Sequence, residues 1–268
     1  MTADPAMRLR WGAASDRGLH RAHNEDAYLA APPVFVVADG MGGHAQGDRA
    51  SRAVIAAFVE LVGSEFVSAD RLDEAVREAG AAVARLASAT AAPGSTVAGA
   101  VLARSGELPC WLVFNVGDSR SYLLSPSALE QVSVDHSRLQ QLLDRGELAP
   151  EDAAGYGDRH VITNALGAGI QSPRVDRWLI PASSGERLLV CSDGLTDELT
   201  DTLIEATLRA EPDPQVAAET LVAQALDAGG HDNVTVLVVD AVRVDGPVGV
   251  IQGGDITVPD LETAAETA

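Results

Sequence analysis

Four aspartates, Asp39, Asp118, Asp193 and Asp232, stand where short apolar runs meet turns, and three of them sit beside a glycine. Val34-Phe35-Val36-Val37-Ala38 leads into Asp39-Gly40, Trp111 to Val116 into Gly117-Asp118-Ser119, and Arg187 to Cys191 into Ser192-Asp193-Gly194. Asp232-Asn233 instead opens the run Val234 to Val239. Several strand ends on one rim of a sheet would gather these carboxylates, which would then repel one another and raise their own pKa values. A divalent cation removes that repulsion. Oxygen ligands with few histidines and no cysteine suit Mg²⁺ or Mn²⁺ better than zinc. Gly40 and Gly194 would let backbone come close to an ion or its waters. A single Asp-Gly after a strand is a common turn; four such sites together carry the argument for an ion.

The elements that must position these residues are legible as apolar periodicity. The runs above are rich in β-branched residues and short enough to be buried strands, and Ser95 to Ala103 and Ser121 to Leu124 add two more. Spacings of three and four predict helices over Asp48 to Phe66 and Leu72 to Ala89, and Pro214 to Ala228 is bounded by prolines before and Gly229-Gly230 after. Strands close together with turns between them favour antiparallel neighbours, so the expected class is α+β, with helices packed outside the sheets. Residues 138–169 hold a polar helix (Arg138 to Arg145) followed by Gly146, Pro150, Gly155 and Gly157, and are expected to form an inserted surface flap. After Arg243 the chain has five acidic residues and no basic one, so 244–268 is expected to be a disordered acidic tail.

Composition narrows the function. The chain has 268 residues, 46% hydrophobic, enough for a sizeable core. All 19 basic residues are arginine, which excludes a Gly-Lys-Ser/Thr phosphate loop, a kinase-type lysine and any Schiff-base enzyme. A formal charge of −20 argues against nucleic acid or an anionic membrane as partner. No apolar run approaches bilayer length, and the first ten residues hold no signal-peptide stretch. Cys110 and Cys191 lie inside apolar runs and read as buried core residues of a reducing compartment. Cys191 has Asp197 six positions on, where a cysteine-based phosphatase needs its arginine. The expectation is a soluble cytoplasmic protein, monomeric by default.

The residues around the aspartates carry a resemblance. Arg21-Ala22-His23-Asn24-Glu25-Asp26, Asp39-Gly40-Met41-Gly42-Gly43-His44, Gly94-Ser95-Thr96, Asn115-Val116-Gly117-Asp118-Ser119-Arg120, Asp135-His136-Ser137, the stretch Cys191 to Asp197 and Gly230 to Thr235 follow one another in this order. Order and spacing resemble the bacterial metal-dependent serine/threonine protein phosphatases of type 2C, the PPM family, over residues 8–243. The resemblance implies a four-layer α-β-β-α sandwich, two central antiparallel sheets flanked by helices, with the 138–169 flap inserted. It implies that Asp39 bridges two Mn²⁺ or Mg²⁺ ions with the Gly40 carbonyl as a further ligand, that Asp193 and Asp232 complete the pair, and that Asp118 joins Asp193 at a third, weaker site. Glu25, Asp26 and Asn233 would stand behind these ligands, and Arg21 would hold the substrate phosphate.

The implied reaction is direct attack on phosphoserine or phosphothreonine of a protein by a hydroxide shared between the two ions, opposing bacterial serine/threonine kinases and their substrates. The general acid stays open between His44 and a metal-bound water, because Met41 stands where animal relatives carry a histidine. Two other roles are compatible with the fold: a catalytically inactive scaffold, and an enzyme of a partner-switching pathway. All of Arg21, Asp39, Asp193 and Asp232 are present, which disfavours the inactive form.

Overall fold

The computed structural model describes residues 7–42, 45–88, 90–158 and 160–246. The chain opens with β1 (Met7–Asp16), β2 (Asp26–Ala31) and β3 (Val34–Met41), then α1 (Ala45–Phe58) and α2 (Ala69–Ala84). Next come β4 (Gly94–Ser95), β5 (Val97–Ser105), β6 (Leu108–Val116), β7 (Arg120–Leu124), β8 (Leu129–Gln131) and α3 (Arg138–Asp144). The remainder is β9 (Leu166–Gly167), β10 (Asp176–Pro181), β11 (Arg187–Cys191), α4 (Asp193–Thr196), α5 (Asp201–Ala210), α6 (Pro214–Ala228) and β12 (Val234–Val244).

These strands form two antiparallel sheets, one ordered β1-β12-β11-β7-β8 and the other β10-β6-β5-β3-β4-β9 with β2 added on β3. The unbroken apolar runs have a physical reason: their strands are covered on both faces. Along β3, Val34, Val36 and Ala38 pack under α1 and α2, while Phe35 and Val37 point into the space between the sheets. β12 alternates likewise, with Val234, Val236 and Val238 under the helices and Leu237, Val239 and Ala241 between the sheets. Residues of α4, α5 and α6 close the outer face of the smaller sheet. The order of layers is therefore helix, sheet, sheet, helix.

The helices start where local chemistry starts them. Ser68 caps α2 by accepting from the Arg71 N–H, and Leu72, Ala75, Val76, Ala79 and Val83 form its buried stripe. Asp213 caps α6 by accepting from the N–H groups of Gln215 and Val216, with Pro214 in the first turn. Three sequence expectations shift. The first helix begins at Ala45 and gives way to a 3₁₀ turn over Val59–Leu61, and the second runs Ala69–Ala84 rather than to Ala89. The strand expected from Ser95 to Ala103 is broken at Thr96, whose N–H donates to the Asp39 carbonyl at 2.9 Å. The third shift concerns Asp39 itself, which lies inside β3 opposite Asp26 of β2 and not beyond the strand end.

Residues 138–165 form an excursion with α3 and a 3₁₀ segment, Pro150–Gly155, between β8 and β9. Of the acidic tail expected from 244, only Val244, Asp245 and Gly246 are described, and 247–268 lie outside the described residues. Among the described residues no helix is long and apolar enough to cross a membrane.

Candidate metal centre

The carboxylates converge where the two sheets meet. Asp39 is fixed through its backbone: its N–H donates to Thr96 Oγ1 at 3.0 Å, and Thr96 Oγ1 also pairs with Ser119 Oγ at 2.7 Å. The Gly94-Ser95-Thr96 motif thus ties the Asp39 strand to the turn that carries Asp118. Gly40 has no room for a side chain, since a Cβ there would stand 2.1 Å from the Gly47 carbonyl oxygen and 2.7 Å from that of Glu25. Asp193 is the first residue of α4, and Asp232 precedes β12.

Asn233 organises the opposite wall. Its Oδ1 accepts from the Glu25 N–H at 2.8 Å, and its Nδ2 donates to the carbonyls of Arg17 and His23 at 2.8 and 2.9 Å. One side chain so clips both ends of the loop that carries Arg21. Asn233→Ala should strand these groups and cost about 2–4 kcal/mol, two or three partly buried hydrogen bonds at about 1 kcal/mol or more each. Urea unfolding of the metal-free protein measures it, and a loss below about 0.5 kcal/mol would contradict this anchoring.

Burial and mutual repulsion dominate the electrostatics. Burial, then the charges of Asp26, Asp193, Asp118 and Asp232, holds the Asp39 carboxyl well above the usual range. Asp193 is raised in the same way, by burial and then by Asp118, Asp197, Asp232 and Asp26. Asp118, 7% exposed, is pushed up to about 7 by burial and then by Asp135. Asp26 is raised to about 6 by burial, although Thr235 and Ser192 hydroxyls donate to its Oδ2 at 2.7 and 2.8 Å. The Oδ1 atoms of Asp26, Asp118 and Asp193 are buried without a hydrogen-bond partner. Orphaned carboxylate oxygens in a group of mutually repelling acids fit a hard divalent cation.

Arg21, Glu25, Asp39, Gly40, Asp193, Asp232 and Asn233 all line one cleft of about 980 Å³. Arg21 pairs with Asp232 and keeps 54% of its side chain exposed. Asp118 lies behind this wall and not on it, in the turn after β6. Asp26 also stands behind it, bonded to Ser192 beside Asp193. Two groups, His160 and Asp197, were not assigned to the site from the sequence. His160 reaches the cleft from the 138–165 excursion, with Nδ1 3.1 Å from Asp197 Oδ2. Among the described residues, His160, Asp193 and Asp197 are the set whose ligand atoms lie within 4.8 Å of one another. Asp197 stood inside a quoted motif, but His160 sits in a polar, glycine-rich stretch that offers no periodic signal. His44, the candidate general acid, lies outside the described residues. Burial pushes the Cys191 thiol up to about 12, which makes it inert as a nucleophile.

Comparison with known proteins identifies the family. Residues 19–226 match the family model described as protein phosphatase 2C. The serine/threonine protein phosphatase PstP of Mycobacterium tuberculosis is 39% identical across 97% of this chain, which spans about half (52%) of that relative's length. The serine/threonine phosphatase stp of Listeria monocytogenes is 32% identical, over 84% of this chain and 93% of its own. The crystal structure of the PstP catalytic domain in complex with two manganese ions superposes with a TM-score of 0.76 at 37% identity, over 88% of this chain and 99% of that one. With the sandwich, the carboxylate cleft and these matches in agreement, the chain belongs to the protein phosphatase 2C family.

Proposed function

We propose that this protein is a metal-dependent phosphatase that hydrolyses phosphoserine and phosphothreonine monoesters on proteins. The observation that carries the reading is the convergence of Asp39, Asp193 and Asp232 on one cleft beside Arg21, with the Asp39 and Asp193 carboxyls raised by burial and by the charges of their neighbours. Asp39, the Gly40 carbonyl, Asp193 and Asp232 would hold two Mn²⁺ or Mg²⁺ ions, the number in the manganese complex of the mycobacterial relative. Asp118 with Asp193 would hold a third, weaker one. Ions bound there supply positive charge to the phosphoryl oxygens and a water acidic enough to act as nucleophile near neutral pH.

The chain's own residues do the rest. Arg21 presents its free guanidinium donors at the cleft mouth, where a fork of N–H groups matches phosphoryl oxygens. Asn233 holds the Arg21 loop at both ends, so the fork is placed before substrate arrives. Glu25 lines the cleft and Asp26 braces Ser192 and Thr235, which positions the turns bearing Asp193 and Asp232. The partners in this reading are phosphorylated proteins, with serine/threonine kinases and their substrates foremost, in a cytoplasm whose reducing state suits two buried cysteines outside any disulfide.

Release of phosphate from a phosphothreonine peptide, measured with Mn²⁺, with Mg²⁺ and with EDTA, tests the reading. Metal-dependent release supports it, and an intact protein that binds Mn²⁺ yet releases nothing overturns it. Under the same assay Arg21→Ala should lose about 10²-fold in kcat/KM, with Arg21→Lys recovering only part, because a point charge cannot replace a fork. A loss below about threefold would remove Arg21 from phosphate binding.

A further inference from the structure

His136 precedes α3 and is 4% exposed, and it does not line the carboxylate cleft. All four of its polar groups are engaged, and together they join three parts of the chain: Gly117, the pair Thr163-Asn164, and Asp176. Its backbone N–H donates to the Gly117 carbonyl at 2.9 Å, and its carbonyl accepts from the Thr163 N–H at 2.8 Å. Nδ1 lies 3.1 Å from the Gly117 N–H and 2.8 Å from Asn164 Nδ2, while Nε2 lies 3.0 Å from Asp176 Oδ2. A backbone N–H can only donate, so Nδ1 is the acceptor and the proton resides on Nε2, directed at Asp176. Asp176 is held in turn by Arg174, at 3.0 Å on each carboxylate oxygen.

The parts so joined are the turn before Asp118 and the two ends of the 138–165 excursion. Ser137, next to His136, pairs with Ile162, and the Arg138 N–H donates to the Val161 carbonyl at 2.8 Å. Entry and exit of the excursion are therefore clasped together, with the imidazole as the pin that fastens the clasp to Gly117. The same excursion places Ile162 of the clasp and the nearby His160 on the cleft wall.

We infer that His136 is a positioning residue: a neutral imidazole of fixed tautomer that locks the flap to the turn carrying Asp118, and thereby sets the cleft wall that a phosphorylated polypeptide must cross. The inference rests on the phosphatase reading for its kinetic arm only. A small aryl phosphate can enter a cleft of about 980 Å³ without crossing that wall, so the lock should matter for peptides and little for p-nitrophenyl phosphate.

The test compares His136→Gln, whose amide can still donate to Asp176 but leaves the Gly117 N–H unpaired, with His136→Asn, whose oxygen can replace Nδ1. Asn164→Ala, which releases the flap exit both from Nδ1 and from the Arg174 backbone, is the companion should the Gln variant fail to fold. Hydrogen exchange by mass spectrometry is read over 117–119 and 138–165, and kcat/KM with Mn²⁺ on a phosphothreonine peptide and on p-nitrophenyl phosphate. The Gln and Asn164→Ala variants should exchange faster in both segments and lose about fivefold or more in peptide kcat/KM relative to p-nitrophenyl phosphate, the effect of one unpaired buried donor. The Asn variant should recover most of that ratio. Equal exchange in all proteins, or an equal loss on both substrates in Gln and Asn variants, overturns the inference and leaves His136 a packing residue. If the unmodified protein hydrolysed neither substrate, the phosphatase reading would fall, while the exchange data would still decide the lock.

Discussion

Asp39→Asn is expected to abolish phosphate release while making the metal-free protein more stable. The carboxyl is buried among Asp26, Asp193, Asp118 and Asp232, and both burial and those charges oppose its ionisation. An amide of the same shape carries no charge, so it removes repulsion from each neighbour and leaves the backbone bond to Thr96 in place. Activity should fall by about 10³-fold or more, since the side chain expected to contact both ions is lost. The thermal midpoint without metal should rise, at about 2–4 °C per kcal/mol for a domain of this size. The rise should grow with pH, as more of the crowded carboxyls ionise. Added Mn²⁺ should stabilise the variant less than the parent. A lower midpoint in the variant would show that the carboxylate serves the fold, and unchanged activity would remove Asp39 from the site.

The parts of this architecture that could be read from sequence are those whose environment repeats along the chain. β3, β6, β11 and β12 are covered on both faces, so they appear as continuous β-branched runs. β1 was not legible because it pairs only with β12, carries Arg8 and Arg10, and buries few of its residues. β10 is an edge strand, half-buried along most of its length. α5 buries only Ile204, Thr207 and Leu208, too short a stripe to stand out. In the site, Asp39, Asp193 and Asp232 were readable because each stands beside an apolar run and a turn-forming residue in the sequence. The position of Asp118 behind the cleft and the approach of His160 depend on contacts between distant segments, which no local pattern encodes. Asp135-His136-Ser137 was readable as the turn before α3, and Ser137 does cap that helix by accepting from the Gln140 N–H. The clasp that His136 makes with residues 117, 164 and 176 involves separations of 19 to 40 positions.

Stability of the metal-free protein should fall as pH rises from about 5 to 8, and Mn²⁺ should reverse that trend. An unfolded aspartate titrates near 3.9. In the folded protein Asp26 is raised to about 6 and Asp118 to about 7, with Asp39 and Asp193 also raised. Between the unfolded and folded values the native state binds more protons than the unfolded one, so stability decreases with pH across that window. The contribution is intact below the unfolded value near 4 and is lost as each group ionises in the folded state. At 1.36 kcal/mol per pH unit, Asp118 alone accounts for about 4 kcal/mol at most. Metal ions compete with these same protons, so their affinity should grow over the range in which the apoprotein weakens. Thermal unfolding at pH 5, 6, 7 and 8, with EDTA and with Mn²⁺, measures both effects. The midpoint with EDTA should be highest near pH 5, and the gain on adding Mn²⁺ should be small there and largest at pH 8. A midpoint that climbs with pH in EDTA would mean that the carboxylates are paired and not crowded, and that no electrostatic repulsion draws ions to this cleft.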